Sequence, residues 1–329
     1  MVLLSVFRKR RLLLSSAVGL IFISSSIAQS QNYPEKPIRL LVPYGTGSST
    51  DQLARIIAEA VTGETKQAVV VEDKPGAEGF IGVQAAATSP ADGYTILITT
   101  NSTQVVNQHL YKKLPYDPIK DFIPVRTLGQ SALGMTVNAT SPYRTVTSFV
   151  EAARKQPGKF TYGSATATTR LAAELFQQQA GIQLLNVPYR ANSLTLNALM
   201  GGEIDVMFSD TALVIPHAKS GGKLRTIGVT GLQRMAALPE VPTLKESGIS
   251  DYYLTFWYGA WVPANTPAAI VTRINDLLGR AMKSSSAQSF LSLGGSDPFD
   301  LSGDAFATFQ LSEIAKFGRI VKGANITPQ

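Results

Sequence analysis

From residue 37 onward the chain alternates two hydrophobic patterns. Short apolar runs at 38–42, 68–71 and 94–99 predict buried strands, and runs with apolar residues three and four apart, at 52–61 and 79–87, predict amphipathic helices. Repeated strand–helix units set strands side by side with helices on the sheet faces, which is an α/β architecture with a mostly parallel sheet. The turn-forming Pro115-Tyr116-Asp117-Pro118 interrupts the series, and an apolar strand at 131–137 opens a second one.

The second series predicts helices at 146–155, 170–180 and 193–200 and strands at 160–162, 184–187, 206–208 and 224–229, punctuated by Gly201-Gly202 and Gly221-Gly222. The aromatic run 252–261 then crosses back, and a helix at 267–282 rejoins the first unit. Two lobes follow, residues 29–130 with 254–329 and residues 131–253. Two crossings between them make a hinge with a cleft.

The first 28 residues break the alternation. Arg8, Lys9, Arg10 and Arg11 precede an apolar stretch at 12–23 and the small residues Ser26-Ile27-Ala28, the layout of a secretory signal peptide cleaved after Ala28. Arg10-Arg11 also fits twin-arginine export, although a general-secretion signal is the simpler reading. The stretch is shorter than the roughly 20 residues of a membrane-spanning helix, so a soluble protein exported to the periplasm is expected. The 329-residue chain contains no Cys, which removes lipid anchoring at a cysteine, disulfides and thiolate metal sites.

Charge and histidines narrow the functional classes further. Of the seven excess positive charges, the signal segment holds four and no acid, leaving a weak excess that does not suggest nucleic-acid binding. His109 and His217 stand far apart without acidic neighbours at ligand spacing, so no metal is expected. No third glycine follows the 45–47 pair, no Gly-Lys-Ser/Thr occurs, and no Gly-x-Ser-x-Gly elbow occurs, so nucleotide and hydrolase readings are poor and no cofactor is expected.

The chemistry concentrates in two strand–helix loops. Pro43-Tyr44-Gly45-Thr46-Gly47-Ser48-Ser49-Thr50-Asp51 joins the first strand to the first helix, and backbone N–H groups converging there with the helix dipole hold a small anion without a charged side chain. Ser49 with Gln52 fits a capping box, so the same residues also read as a plain helix cap. A second loop, Tyr162-Gly163-Ser164-Ala165-Thr166-Ala167-Thr168-Thr169, precedes a helix starting near Arg170. Two such loops facing one another would grip the two ends of a small acid.

Many separate blocks resemble the Bug, or tripartite tricarboxylate transporter, family of periplasmic substrate-binding receptors over almost the whole chain beyond residue 28. They include Tyr33-Pro34-Glu35-Lys36-Pro37-Ile38, Val71-Glu72-Asp73-Lys74-Pro75-Gly76-Ala77-Glu78-Gly79, Asp92-Gly93-Tyr94-Thr95, Leu114-Pro115-Tyr116-Asp117, Val187-Pro188-Tyr189-Arg190, Gly201-Gly202-Glu203-Ile204-Asp205, Pro239-Glu240-Val241-Pro242-Thr243 and Trp257-Tyr258-Gly259. The resemblance implies a two-lobed periplasmic-binding-protein fold of type II kind, with a ligand carboxylate seated on Tyr44, Gly45, Thr46, Gly47, Ser48 and Ser49. It further implies contacts from Ser164, Ala165, Thr166, Thr168 and Thr169, from Asn101 and Ser102, and from Ser209 and Asp210, and Tyr189 and Arg190 join these candidates. Gly45-Thr46-Gly47-Ser48 departs from the usual Gly-Gly pair, 165–170 departs from a Gly/His-bearing loop, and Ala191 replaces a usual glycine. These departures bear on the ligand rather than on the fold.

Arg170 reads two ways, as a two-pronged donor to a distal carboxylate or as a solvated first-turn arginine. Asp51 or Asp210 can instead accept a ligand ammonium, which would favour an amino acid. The aromatic Tyr189, Trp257, Tyr258 and Trp261 line a cleft or pack the core and hinge. The expected function is a monomeric extracytoplasmic receptor that captures a small carboxylate, a di- or tricarboxylate, an aromatic acid or an amino acid, and delivers it to a permease of one large and one small membrane subunit. A ligand sensor presenting its closed form to a membrane kinase is the alternative, and an enzyme on the same scaffold is disfavoured because no motif unites nucleophile, base and orienting group.

Overall fold

The computed structural model describes residues 33–218, 221–323 and 326–328, so the signal-peptide reading of residues 1–28 lies outside the described residues. The chain runs through β1 (Ile38–Val42), α1 (Ser49–Thr65), β2 (Val69–Asp73), a 3₁₀ turn (Ala77–Gly79), α2 (Phe80–Ala87), β3 (Thr95–Thr100), a π turn (Ser102–Val106) and α3 (Asn107–Leu110). It continues with β4 (Phe122–Asn138), α4 (Val146–Lys155), β5 (Phe160–Ser164), α5 (Ala167–Ala180), β6 (Leu184–Pro188), α6 (Asn192–Gly201), β7 (Val206–Asp210), α7 (Thr211–Ala218) and β8 (Leu224–Val229). The last elements are β9 (Thr255–Pro263), α8 (Ala268–Ala281), α9 (Ser285–Gly294) and α10 (Gly303–Gly323).

The strands form two sheets that share β4. The first has the order β2-β1-β3-β9-β4, and the second continues as β4-β7-β5-β6 with β8 also paired to β4. Residues of β4 from Phe122 to Ala132 pair with β9, and those from Leu133 to Asn138 pair with β7 and β8, so one strand changes partners in mid-course. Pairings among β1, β2 and β3 and among β5, β6 and β7 are parallel, as the repeated strand–helix units require, whereas those made by the long strands β4 and β9 are antiparallel.

Burial follows the hydrophobic pattern. All six residues of β3 are buried, as expected of a central strand covered on both faces. Trp257 and Trp261 of β9 are wholly buried against Phe306, and their indole N–H groups donate to Glu313 and Gln310 of α10 at 3.1 Å each. These two tryptophans are therefore core, not cleft lining. Because the apolar sides of both sheets are closed by helices, the polar loops at the strand ends are left to meet one another.

Candidate functional site

The first loop leaves β1 at Pro43 and turns through Ser48 N–H donating to Gly45 O at 3.1 Å. The helix cap is Ser48, whose hydroxyl accepts from Asp51 N, one residue earlier than the Ser49/Gln52 box expected from sequence. Gln52 instead bonds the carbonyl of Gly47. Gly47 adopts φ +80°, which favours glycine, and its N–H donates to Asp51 Oδ2 at 2.8 Å. Asp51 is buried and ion-paired to Arg55 at 2.7 Å, so its carboxylate already occupies part of the loop's donor set.

The second loop runs from Ser164 into α5, which begins at Ala167 rather than near Arg170. Thr166 caps the helix and Thr169 completes a capping box, with Ala165 N and Thr166 N also reaching the Thr169 hydroxyl. Reciprocal caps explain the earlier start, because they satisfy the orphan N–H groups before any apolar periodicity appears. Thr168, Thr169 and Arg170 accordingly lie in the first helical turn.

The two sheets meet through a buried, hydroxyl-rich network. Ser102 Oγ donates to Thr168 Oγ1 at 2.7 Å and accepts from Thr168 N at 3.2 Å, while Thr168 Oγ1 reaches Asn101 Oδ1 at 3.3 Å. Asn101 Nδ2 donates to Thr255 O at 3.0 Å on β9. Tyr44 OH shares a hydrogen with Thr100 Oγ1 at 2.7 Å and accepts from Thr99, which in turn pairs with Thr103 at 2.8 Å. Asn101, Ser102, Thr103 and Thr168 are all wholly buried, and groups so desolvated persist only when bonded.

Asp210 closes the network on the side of the second sheet. Its Oδ2 accepts from Tyr258 OH and its Oδ1 from Ala212 N at 2.9 Å, and the Ser49 hydroxyl faces the same carboxylate. Burial raises its pKa above the usual carboxylate range, against the lowering effect of these three donors. Burial likewise pushes the Tyr258 and Tyr44 hydroxyls up, so both act as neutral hydrogen-bonding groups.

The structure thus gathers Tyr44, Gly45, Ser49, Asn101, Ser102, Thr168 and Asp210 at one place. Gly45 belongs because a Cβ there would meet Ala191 Cβ at 2.7 Å. Ser48, Ala165, Thr166 and Thr169 serve chiefly as caps around it, and Ser209 is wholly buried beside Asp210. Ser164 Oγ donates to Asn186 Oδ1 at 2.8 Å. Thr46 and Gly47 are exposed, Thr46 donating to Asp73 at 2.6 Å, and Arg190 is exposed while Tyr189 is half-buried beside Gly163. Arg170 is not a solvated arginine: its side chain is only 11% exposed, with Glu174 at 3.9 Å.

Sequence reasoning missed Thr99, Thr100 and Gln104. Gln104 is wholly buried in the π turn, and neither amide atom has a partner among the described residues. A π turn is a recurrent feature of functional sites but leaves no simple periodicity to read. A cavity of about 690 Å³, lined by Gln130, Ser131, Gln233, Arg234, Tyr253 and Thr255 among others, borders this network at Thr255, which accepts from Asn101, and contains none of the predicted residues. Among the described residues no three His, Cys, Asp or Glu side chains are grouped to hold a metal, and no helix is long and apolar enough to cross a membrane.

Two α/β sheets joined by long crossing strands, with helix N-termini facing across the boundary, define a protein of the periplasmic-binding-protein class. The profile of the tripartite tricarboxylate transporter family receptor matches residues 53–326, and the chain belongs to that family. It is 34% identical over 277 residues to a UPF0065 protein of the tcbD-tcbE intergenic region of Pseudomonas sp. (strain P51), covering 83% of this chain and 82% of that one. BugT of Bordetella pertussis (strain Tohama I) is 28% identical over 315 residues, 94% of this chain and 96% of its own. Among solved structures, R. palustris Rpa4515 with adipate superposes with a TM-score of 0.86 at 29% identity, covering 90% of this chain and 100% of that chain.

Proposed function

We propose that this protein is an extracytoplasmic solute receptor that closes its two lobes over a small carboxylate and delivers it to a tripartite membrane transporter. The observation that carries this reading is the buried network of neutral hydroxyl and amide groups between the N-termini of α1 and α5, with Ser102 bonded to Thr168 across the two sheets. Two positive helix ends and many O–H and N–H donors suit an acceptor-only ligand, and a carboxylate is such a ligand. Adipate in the R. palustris relative supports the same ligand class.

Closure is the functional step in this reading: the ligand binds the closed form better than the open one and shifts the population toward it. The lobes are residues 29–130 with 254–329 and residues 131–253, a division supported by the change of partners in β4 between Ala132 and Leu133. The family supports permease subunits as partners, the sequence of residues 1–28 supports export to the periplasm, and binding rather than turnover is the role.

A thermal-shift and calorimetric screen of residues 29–329, unfolded and refolded first to strip carried-over ligand, tests the proposal against mono-, di- and tricarboxylates, aromatic acids and amino acids. A specific acid at 100 times its dissociation constant is expected to add about 2.7 kcal/mol of stability. No shift with any acid would overturn the carboxylate reading.

A further inference from the structure

The cavity of about 690 Å³ is built from segments far apart in the chain. Gln130 and Ser131 of β4 and Thr255, the first residue of β9, line it from the strands; residues 231–237 line it from the loop after β8, and Leu291, Ser292 and residues 295–298 from the end of α9. Gln130 and Asp297 exchange backbone hydrogen bonds at 3.0 and 2.8 Å, and Ser131 Oγ donates to Gly295 O at 3.0 Å, so the strands and the end of α9 are tied together around the space. A preformed cavity of this volume falls within the roughly 300–1,000 Å³ of small-molecule sites.

Its polar groups are mostly neutral. Gln130, Gln233, Tyr253, Ser292 and Ser296 bring amides and hydroxyls, which both donate and accept. Ser296 is only 5% exposed, and its hydroxyl has no partner among the described residues. A buried hydroxyl left in that state calls for a partner. Leu232, Met235 and Leu291 add apolar surface to the same lining.

Fixed charge narrows the occupant from both signs. The Arg234 guanidinium is spent on Glu246 at 3.0 Å and on Pro239 O at 3.2 Å, which leaves Asp297 as the unpaired charge of the lining among the described residues. α9 ends at Gly294 beside it, and the carbonyl end of a helix is partially negative, so an acid is disfavoured here. A ligand cation is opposed as well: Lys316 Nζ, paired with Glu313 at 2.8 Å, already lies 5.0 Å over the Tyr253 ring and reaches Thr255 Oγ1 at 3.3 Å. We infer that this cavity is a second binding site, separate from the carboxylate seat between α1 and α5, for a neutral polyhydroxylated molecule, a sugar or a polyol. Hydroxyls of such a ligand donate to amide and carboxylate oxygens and accept from amide and hydroxyl hydrogens, and its C–H surface suits the leucines and Met235.

The test is ligand-observed NMR titration of the purified protein with glycerol, ribose, glucose, inositol and sucrose, alongside glucuronate and glucosamine as the acidic and basic counterparts of glucose. Ala236→Trp and Gln233→Trp each bring a bulky ring to the lining from an exposed position, so the core is undisturbed and either variant guards against failure of the other. Wild type is expected to bind at least one neutral compound saturably and more tightly than either charged one, and A236W or Q233W to weaken that binding tenfold or more. No saturable binding of any neutral compound, an affinity unchanged within twofold in both variants, or tighter binding of glucuronate or glucosamine than of every neutral compound overturns the inference. None of these results bears on the carboxylate reading, which is tested with acids at the other site.

Discussion

At the scale of single residues, the most consequential group is Asp210. A wholly buried carboxyl with a raised pKa is favoured by the folded state in its protonated form, so its contribution to stability is present below the ordinary Asp range and is lost as pH rises through the folded value. Asp210→Asn is neutral at every pH. It keeps one acceptor oxygen and leaves one of the Tyr258, Ala212 and Ser49 donors short, a roughly constant cost of about 1–3 kcal/mol. The melting temperature of the variant relative to wild type should therefore improve as pH rises above the ordinary Asp range of about 4. A difference that stays flat or worsens as pH rises would show that Asp210 titrates normally. The sequence pointed to Asp210 through family resemblance alone; nothing local foretold its partner Tyr258, because that pairing is set by strands 48 residues apart.

At the scale of elements, the helix at 146–155 was read with its exact bounds, and the other foreseen helices were placed with starts off by one to three residues. Apolar periodicity marks only where a helix first touches the core, whereas caps begin it earlier, as at Ser48 and Thr166. β1 and β8 were legible in full from their apolar runs. β4 was read only from 131 because Pro124 and Gly129 interrupt its first half, which is irregular in register against β9. The helices α9 and α10 were not foreseen at all, since their many Ser, Gly and Ala positions carry weak periodicity. The cap assignment is directly testable: Ser48→Ala should cost about 1 kcal/mol in denaturant unfolding and Ser48→Gly only a few tenths. Equal losses from both would mean that the hydroxyl of Ser48 is not the cap.

At the scale of the whole molecule, the decisive contact is between the first loop and the turn before α6. Gly45 is buried, and a Cβ placed on it would lie 2.7 Å from Ala191 Cβ, closer than real side-chain carbons approach. Its φ is not in the left-handed region, so Gly45→Ala strains neither the loop nor β1, and the clash falls entirely on the approach of one sheet's loop to the other's. If the lobes separate and close about β4 and β9, Gly45→Ala should destabilise only the closed form. Ligand affinity should then fall tenfold or more while the unliganded melting temperature changes little, since a ligand's apparent affinity scales with the population of the competent state. Ala191→Gly removes the opposing methyl and should restore affinity in the double variant, a coupling that a double-mutant cycle reads directly. Independent, additive losses would mean that the loops do not approach in the liganded state, and hinge closure would have to give way to a receptor that binds with its lobes already set.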